Sequence, residues 1–359
     1  MDTTRTRWIP FALSSVLLAA CGPRIEVVRM DPMEFSAQRT ADGVRVDLLD
    51  PQVLFLEGST GFEERRYEDA IRKFGLILKH FGDSRFAKAA LYNRGLALLA
   101  APRPADAAAD FSTFVSRYPT DPDAADAWQR LGQAASEAGE WERAEGALRK
   151  RLTLQPLSLL HEVELRARLA RALRLQARYE EAREEAQKVL ALHDRYATLP
   201  EMDGSYYVAM ACFELAEAFH DLFSRIKFVL PVERMEKDLV DKATLFLRSQ
   251  SEYLRTMRLR NTFWGVAAGV RVGRLYEEFY EDIMTAEVPP DLTPEELAIY
   301  QEELRMRARP LVSKAVDAYE RNLALARMYG AQDEWFGDMA ERLERLRKIL
   351  VDIPPPDGN

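Results

Sequence analysis

The sequence predicts an all-α chain, an α-solenoid of stacked antiparallel helix hairpins that ends in long divergent C-terminal helices. Three observations predict it. Small and large residues recur at a fixed interval of 37 positions between about residues 50 and 197. Apolar residues between these marks follow helical periodicity. Beyond residue 198 the interval is lost but amphipathic helical stretches continue. The elements follow in chain order.

Residues 1–20 read as a signal peptide. Arg5 and Arg7 give a positive start, and residues 8–20 (WIPFALSSVLLAA) carry no charge. That run is too short for a bilayer span, which needs roughly 20 residues, but fits a signal-peptide core. Leu18-Ala19-Ala20-Cys21-Gly22 resembles the lipobox of bacterial lipoproteins. The resemblance implies cleavage before Cys21, lipidation of Cys21, and, with Gly22 rather than Asp following it, export to the outer membrane. Each buried acyl methylene contributes about 0.8 kcal/mol, so a multiply acylated terminus holds firmly. Residues 21–50 then form a lipidated tether, in which "RIEVVRM" and "VRVDLL" alternate as strands would; extended tether or strand pair both remain open.

Residues 51–198 hold about four repeats. Gly58, Gly95 and Gly132 are in step, as are Ala70, Ala107 and Ala144, then Phe74, Phe111 and Leu148, then Gly82, Pro119 and Pro156. A fourth copy brings Ala170 and Ala182 one position late. Small residues let the two helices of a pair approach, large ones fill between them, and Pro119 or Pro156 is expected to end the second helix. The extra length over a shorter period falls in connections such as "YPTDPDAADAW". Trp128-x2-Leu131-Gly132, followed by Ala144, Leu148 and Pro156, resembles the tetratricopeptide repeat, although Ala135 stands where that pattern has tyrosine. The resemblance implies a superhelix whose concave wall is built from the first helix of each pair.

Residues 199–353 read as divergent helical hairpins. "SYYVAMACFELAEAFHDLF" and residues 232–259 are amphipathic, and Gly265, Gly269 and Gly273 lie four apart, which suits a closely packed neighbour. Thr293-Pro294-x-Glu296 is a capping box opening a helix to about Tyr329, and a last helix runs from about Asp333 to Val351. Residues 354–359 are an expected disordered tail.

The chain carries a net charge of −8, and −9 without residues 1–20, with no basic run, which disfavours nucleic acid as a partner. With Cys21 lipidated, Cys212 is the remaining thiol and reads as a small buried residue. His80, His161, His193 and His220 lack metal-ligand spacing, and no phosphate loop, dinucleotide fingerprint or nucleophile elbow appears. The acidic pairs Glu180-Glu181 and Glu184-Glu185 read as solvated helix faces. No catalysis, cofactor, metal or small-molecule substrate is therefore expected.

The expected binding face consists of Asn93, then Gln129, Arg130 and Gln133, then Arg168, Arg171 and Arg174. Amides and guanidiniums in an acidic protein suit carboxylates, from an acidic segment or a chain terminus. The same arginines can instead serve as helix-surface charges pairing with Glu164 and Glu180. Asn93 and Arg130 stand at places used by carboxylate-clamp repeats, but Phe55, Ser59 and Asp126 depart from that pattern.

The repeat segment is similar to envelope lipoproteins such as the outer-membrane assembly lipoprotein and the TolA-associated protein. "MRLRNTFWGVAAGVRVGRLYEEF" and "AYERNLALARMYGAQDEWF" are similar to myxobacterial repeat lipoproteins, including the gliding-motility lipoprotein. The resemblance implies an adaptor, lipid-anchored in the outer membrane and facing the periplasm, whose partners are envelope proteins. An outer-membrane assembly factor and a cell-wall enzyme or its activator are the other readings.

Overall fold

Periodicity becomes hairpins in the computed structural model, which describes residues 33–40, 43–328 and 334–353. Cys21, the signal-peptide segment, the run "RIEVVRM" and the tail 354–359 lie outside the described residues. Strands β1 (Glu34–Thr40) and β2 (Gly43–Leu49) pair antiparallel, in register from Glu34 with Leu49 to Thr40 with Gly43. Of the alternating runs left open by the sequence, "VRVDLL" lies in β2, whose partner is Glu34–Thr40; the pair joins the helices where Leu49 enters the first core and His80 Nδ1 lies 2.9 Å from Glu34 Oε2.

Four hairpins follow: α1 (Pro51–Glu63) with α2 (Tyr67–His80), α3 (Ala87–Ala100) with α4 (Pro104–Arg117), α5 (Ala124–Glu137) with α6 (Trp141–Leu152), and α7 (Leu159–Leu175) with α8 (Tyr179–Arg195). Within each hairpin the turn has three residues, Glu64–Arg66, Ala101–Arg103, Ala138–Glu140 and Gln176–Arg178. Arg65, Gly139 and Ala177 each take the left-handed conformation at the centre of their turn, with φ of 60°, 74° and 59°. Between hairpins the connections are twice as long, Phe81–Phe86, Tyr118–Asp123 and Thr153–Ser158, which is where the period of 37 finds its added residues.

The small-to-large register has a direct steric cause. A Cβ on Gly58 would lie 2.8 Å from the Phe74 ring, on Gly95 2.8 Å from Phe111, and on Gly132 2.7 Å from Leu148. Phe74, Phe111 and Leu148 are fully buried, so none can swing aside. In the fourth hairpin Ala170 replaces the glycine and Ala186 stands sixteen positions on where the others have the large residue. Both alanines are fully buried in one core.

Proline placement differs from expectation at one repeat. Tyr118, which precedes Pro119, leaves the helical region and closes α4 as a residue before proline must. Helix α6, however, ends at Leu152, four residues before Pro156, where Thr153 N–H turns back to the Lys150 carbonyl. The buried Arg151 guanidinium donates to the carbonyls of Leu154 and Pro156, so a side chain rather than the proline organises this exit.

The array continues with α9 (Tyr206–Arg225), α10 (Val232–Arg258), α11 (Thr262–Met284), α12 (Pro294–Met328) and α13 (Glu334–Asp352). The capping box is present: Thr293 N–H donates to Glu296 Oε2 at 2.9 Å and Glu296 N–H to Thr293 Oγ1 at 3.3 Å. Two of the three spaced glycines do what spacing suggests. A Cβ on Gly269 would fall 2.2 Å from Asn322 Oδ1 and on Gly273 2.6 Å from the Tyr319 ring, so α11 meets α12 closely there. A Cβ on Gly265 would meet only the Met257 backbone, at 4.0 Å, an ordinary contact that requires no glycine.

These longer helices enclose the largest core, from Val163 of α7 to Ile353, with Cys212, Phe223, Tyr253 and Tyr319 among its buried members. Burial pushes the Cys212 thiol up to about 12. Buried charge is also concentrated here. Arg271 and Tyr253 both hydrogen-bond Glu217, while His220 spans from Tyr253 Oη at 2.9 Å to Glu278 Oε2 at 3.0 Å. No helix among the described residues is long and apolar enough to cross a membrane.

Candidate functional site

The first helices α3, α5 and α7 carry the residues expected to bind. Asn93 on α3 stands apart from the rest, in a small cavity with Ser59, Phe62, Glu63, Phe74 and Leu96. On α5, Gln129 Nε2 donates to Glu164 Oε2 at 3.3 Å, and Gln133 donates to Glu137 at 3.0 Å. Arg130 is 3.5 Å from Asp126 and donates to Gln133 at 3.4 Å. Asp126 also accepts from the Tyr92 hydroxyl. Burial, reinforced by Asp126, pushes the Tyr92 phenol up. Burial opposes the Arg130 charge, but Asp126 outweighs it. The residue that departs from the clamp pattern therefore already occupies the arginine that fits it.

The three α7 arginines expected on this face, Arg168, Arg171 and Arg174, have separate fates. Arg168 Nε donates to Glu164 at 2.9 Å and Nη2 to Tyr207 Oη at 2.9 Å, with its guanidinium 5.2 Å from the centre of the Tyr207 ring. Arg174, only 11% exposed, grips Glu214 at 2.6 Å and Asp221 at 2.9 Å on α9. Burial weakens its charge less than Glu214, Glu217 and Asp221 strengthen it, so its pKa is raised. Arg171 keeps 44% of its side chain exposed, with its nearest carboxylate, Glu214, at 3.7 Å. The sequence alternative of surface pairing thus holds for Arg168 with Glu164. Glu180 pairs instead with Arg183 at 2.6 Å. Glu185 is not a solvated face: it is buried and holds Arg166 at 2.8 Å and Lys188 at 2.7 Å.

Arg171 and Arg168 line a cavity of about 420 Å³ with Ser136, Glu137, Ala138, Gly139, Trp141 and Met210. Its wall is built from the α5–α6 turn, α7 and α9, so it lies where three successive hairpins meet. An indole, a thioether and one available guanidinium can receive an apolar side chain beside a carboxylate. Trp141 and Met210 escaped the sequence reading because each resembles core by spacing. Glu214 and Asp221, which neutralise Arg174, were invisible because they belong to a helix outside the repeat pattern.

No group of three or more histidine, cysteine, aspartate and glutamate side chains among the described residues could hold a metal ion. Residues 55–122 and 92–158 match the family model described as tetratricopeptide repeat. No curated protein matches the chain. Among solved structures, the chain is similar to the C-terminal part of a TPR repeat-containing protein from Cytophaga hutchinsonii, at 11% identity and a TM-score of 0.44, over 84% of this chain and 96% of that one. It is also similar to a tetratricopeptide repeat protein from Parabacteroides merdae, at 12% identity and a TM-score of 0.39, over 84% and 98% of the two chains. A third similar structure is MamA protein, at 15% identity and a TM-score of 0.39, over 58% and 94%.

Proposed function

We propose that this tetratricopeptide-repeat chain is a non-enzymatic scaffold that docks envelope proteins, held at the outer membrane through a lipidated Cys21 and facing the periplasm. The observation that carries the docking role is the cavity shared by three hairpins, where Arg171 is half exposed beside Trp141 and Met210. Arg168 and Arg174 are closely engaged by the protein's own carboxylates, and Arg130, 3.5 Å from Asp126 and 3.4 Å from Gln133, does not line this cavity. The site therefore suits one carboxylate with a neighbouring apolar side chain rather than a long acidic tract.

The lipobox Leu18-Ala19-Ala20-Cys21 supports the anchor and Gly22 supports the outer membrane. Likeness to the gliding-motility lipoprotein makes an envelope-spanning motility complex the machine of choice. The test is co-purification of the lipid-anchored chain with envelope proteins, compared with an Arg171→Glu, Trp141→Ala variant. Recovery of motility-complex proteins that falls about tenfold or more in the variant is the expected result. Unchanged recovery removes the cavity from the reading. A fall in barrel-protein levels on depletion would point to outer-membrane assembly instead. Cys21→Ser should release the chain from the membrane fraction.

A further inference from the structure

A second surface, on helices outside the matched repeats, goes beyond this reading. Between the end of α10 and the second half of α12 runs a groove floored by α11. It consists of two adjoining cavities of about 280 and 350 Å³ that share Met257 and Leu325. Its walls are apolar, with Leu254, Met257 and Leu325 all exposed. Gly265 and Gly269 lower its floor, and at Gly265 no side chain from elsewhere fills the space.

Glycines and exposed leucines alone would not make a site, but Asn322 adds a second observation. Asn322 lines the groove yet is only 2% exposed. Its Nδ2 donates to the Val266 carbonyl at 3.0 Å, which fixes the amide's orientation and leaves Oδ1 towards Gly269. Oδ1 has no hydrogen-bond partner among the described residues. A buried carbonyl oxygen left unpaired is costly, so an N–H or O–H that reaches it gains there.

Charge selects the occupant. Lys314 and Arg321 stand exposed on the α12 lip, and among the described residues neither has an ion pair; Lys314 is 6.0 Å from the Tyr276 ring centre. Asp317 lies between them on the same helix, and Arg260 at the far end is engaged with Asp203 at 3.1 Å. In a chain of net charge −8, where most arginines are paired, two unpaired cations beside an apolar trough select a carboxylate-bearing partner.

We propose that this groove docks an apolar segment of another protein that carries acidic side chains for Lys314 and Arg321 and offers a hydrogen-bond donor to Asn322 Oδ1. The probe is a phage-displayed library of random dodecapeptides, selected on the full chain. Enriched peptides should combine apolar residues with aspartate or glutamate. They should lose affinity by about tenfold or more on Lys314→Glu, Arg321→Glu and on Gly265→Leu, whose Cβ meets only the Met257 backbone at 4.0 Å, an ordinary contact, and whose side chain enters the trough. Arg171→Glu should leave their binding unchanged, which separates this surface from the cavity on α7. The proposal is overturned by absence of enrichment, by peptides lacking acidic residues, or by binding that survives both changes. Sedimentation showing self-association that Gly265→Leu abolishes would assign the groove to a second copy and overturn it equally.

Discussion

At the scale of single residues, fit between two positions sixteen apart sets each hairpin. Gly132→Ala alone should destabilise the chain by about 1–3 kcal/mol, because its Cβ enters the space of a buried Leu148. Leu148→Ala alone should cost about 2–5 kcal/mol through the cavity it leaves. Together they recreate the alanine pair of the fourth hairpin, so their combined cost in urea unfolding should fall below the sum by about 1 kcal/mol or more. Strict additivity would show that the two positions do not compete for one space. The glycine register was plain in the sequence. So was its reason, small residues admitting large ones, though only the structure shows which large side chain of its own hairpin each of Gly58, Gly95 and Gly132 faces. The arginine face was half legible for a similar reason. Arg168 announces Glu164 four residues earlier on the same helix, whereas the carboxylates gripping Arg174 lie forty and more positions away.

At the scale of elements, α9, α10 and α11 are joined by ionisable groups removed from water. Burial pushes the Glu278 carboxyl up, but the hydrogen bond and charge of His220, with Ser224 and Arg271, more than offset this and hold it at about 2. Burial likewise opposes Glu217, where the Arg271 charge wins and holds it at about 2. A carboxyl depressed on folding stabilises fully above its unfolded value of about 4.3, and that contribution disappears as pH falls towards 2. Urea unfolding at stepped pH should therefore show stability falling across this window. Glu278→Gln should flatten the fall by up to about 1.4 kcal/mol per pH unit, one proton's worth. Identical slopes would mean Glu278 is not coupled to folding. Helices here were legible one at a time, from the capping box at Thr293 and the amphipathic run after Val232. Their polar interior was not, because Glu217 and Glu278 look like surface acids until α10 and α11 close over them.

At the scale of the molecule, nearly all packing is between helices adjacent in sequence, with α7 against α9 the main exception. Stability in such an array is close to a sum of local and nearest-neighbour terms. Gly58→Ala, whose Cβ would meet Phe74 at 2.8 Å, should speed amide exchange in α1 to α3 and leave α9 to α12 unchanged. Equal acceleration at both ends would reveal one cooperative unit instead.

Tight three-residue turns inside hairpins and looser six-residue links between them have a consequence for growth. One thirty-seven-residue module could be duplicated or excised at a link, displacing the two ends of the chain by about 8–10 Å, one helix layer. The long helices beyond Tyr206 repeat nothing, and duplication there would scramble rather than extend them. Evolution can thus lengthen or shorten the N-terminal half as a spacer while its C-terminal platform is inherited whole.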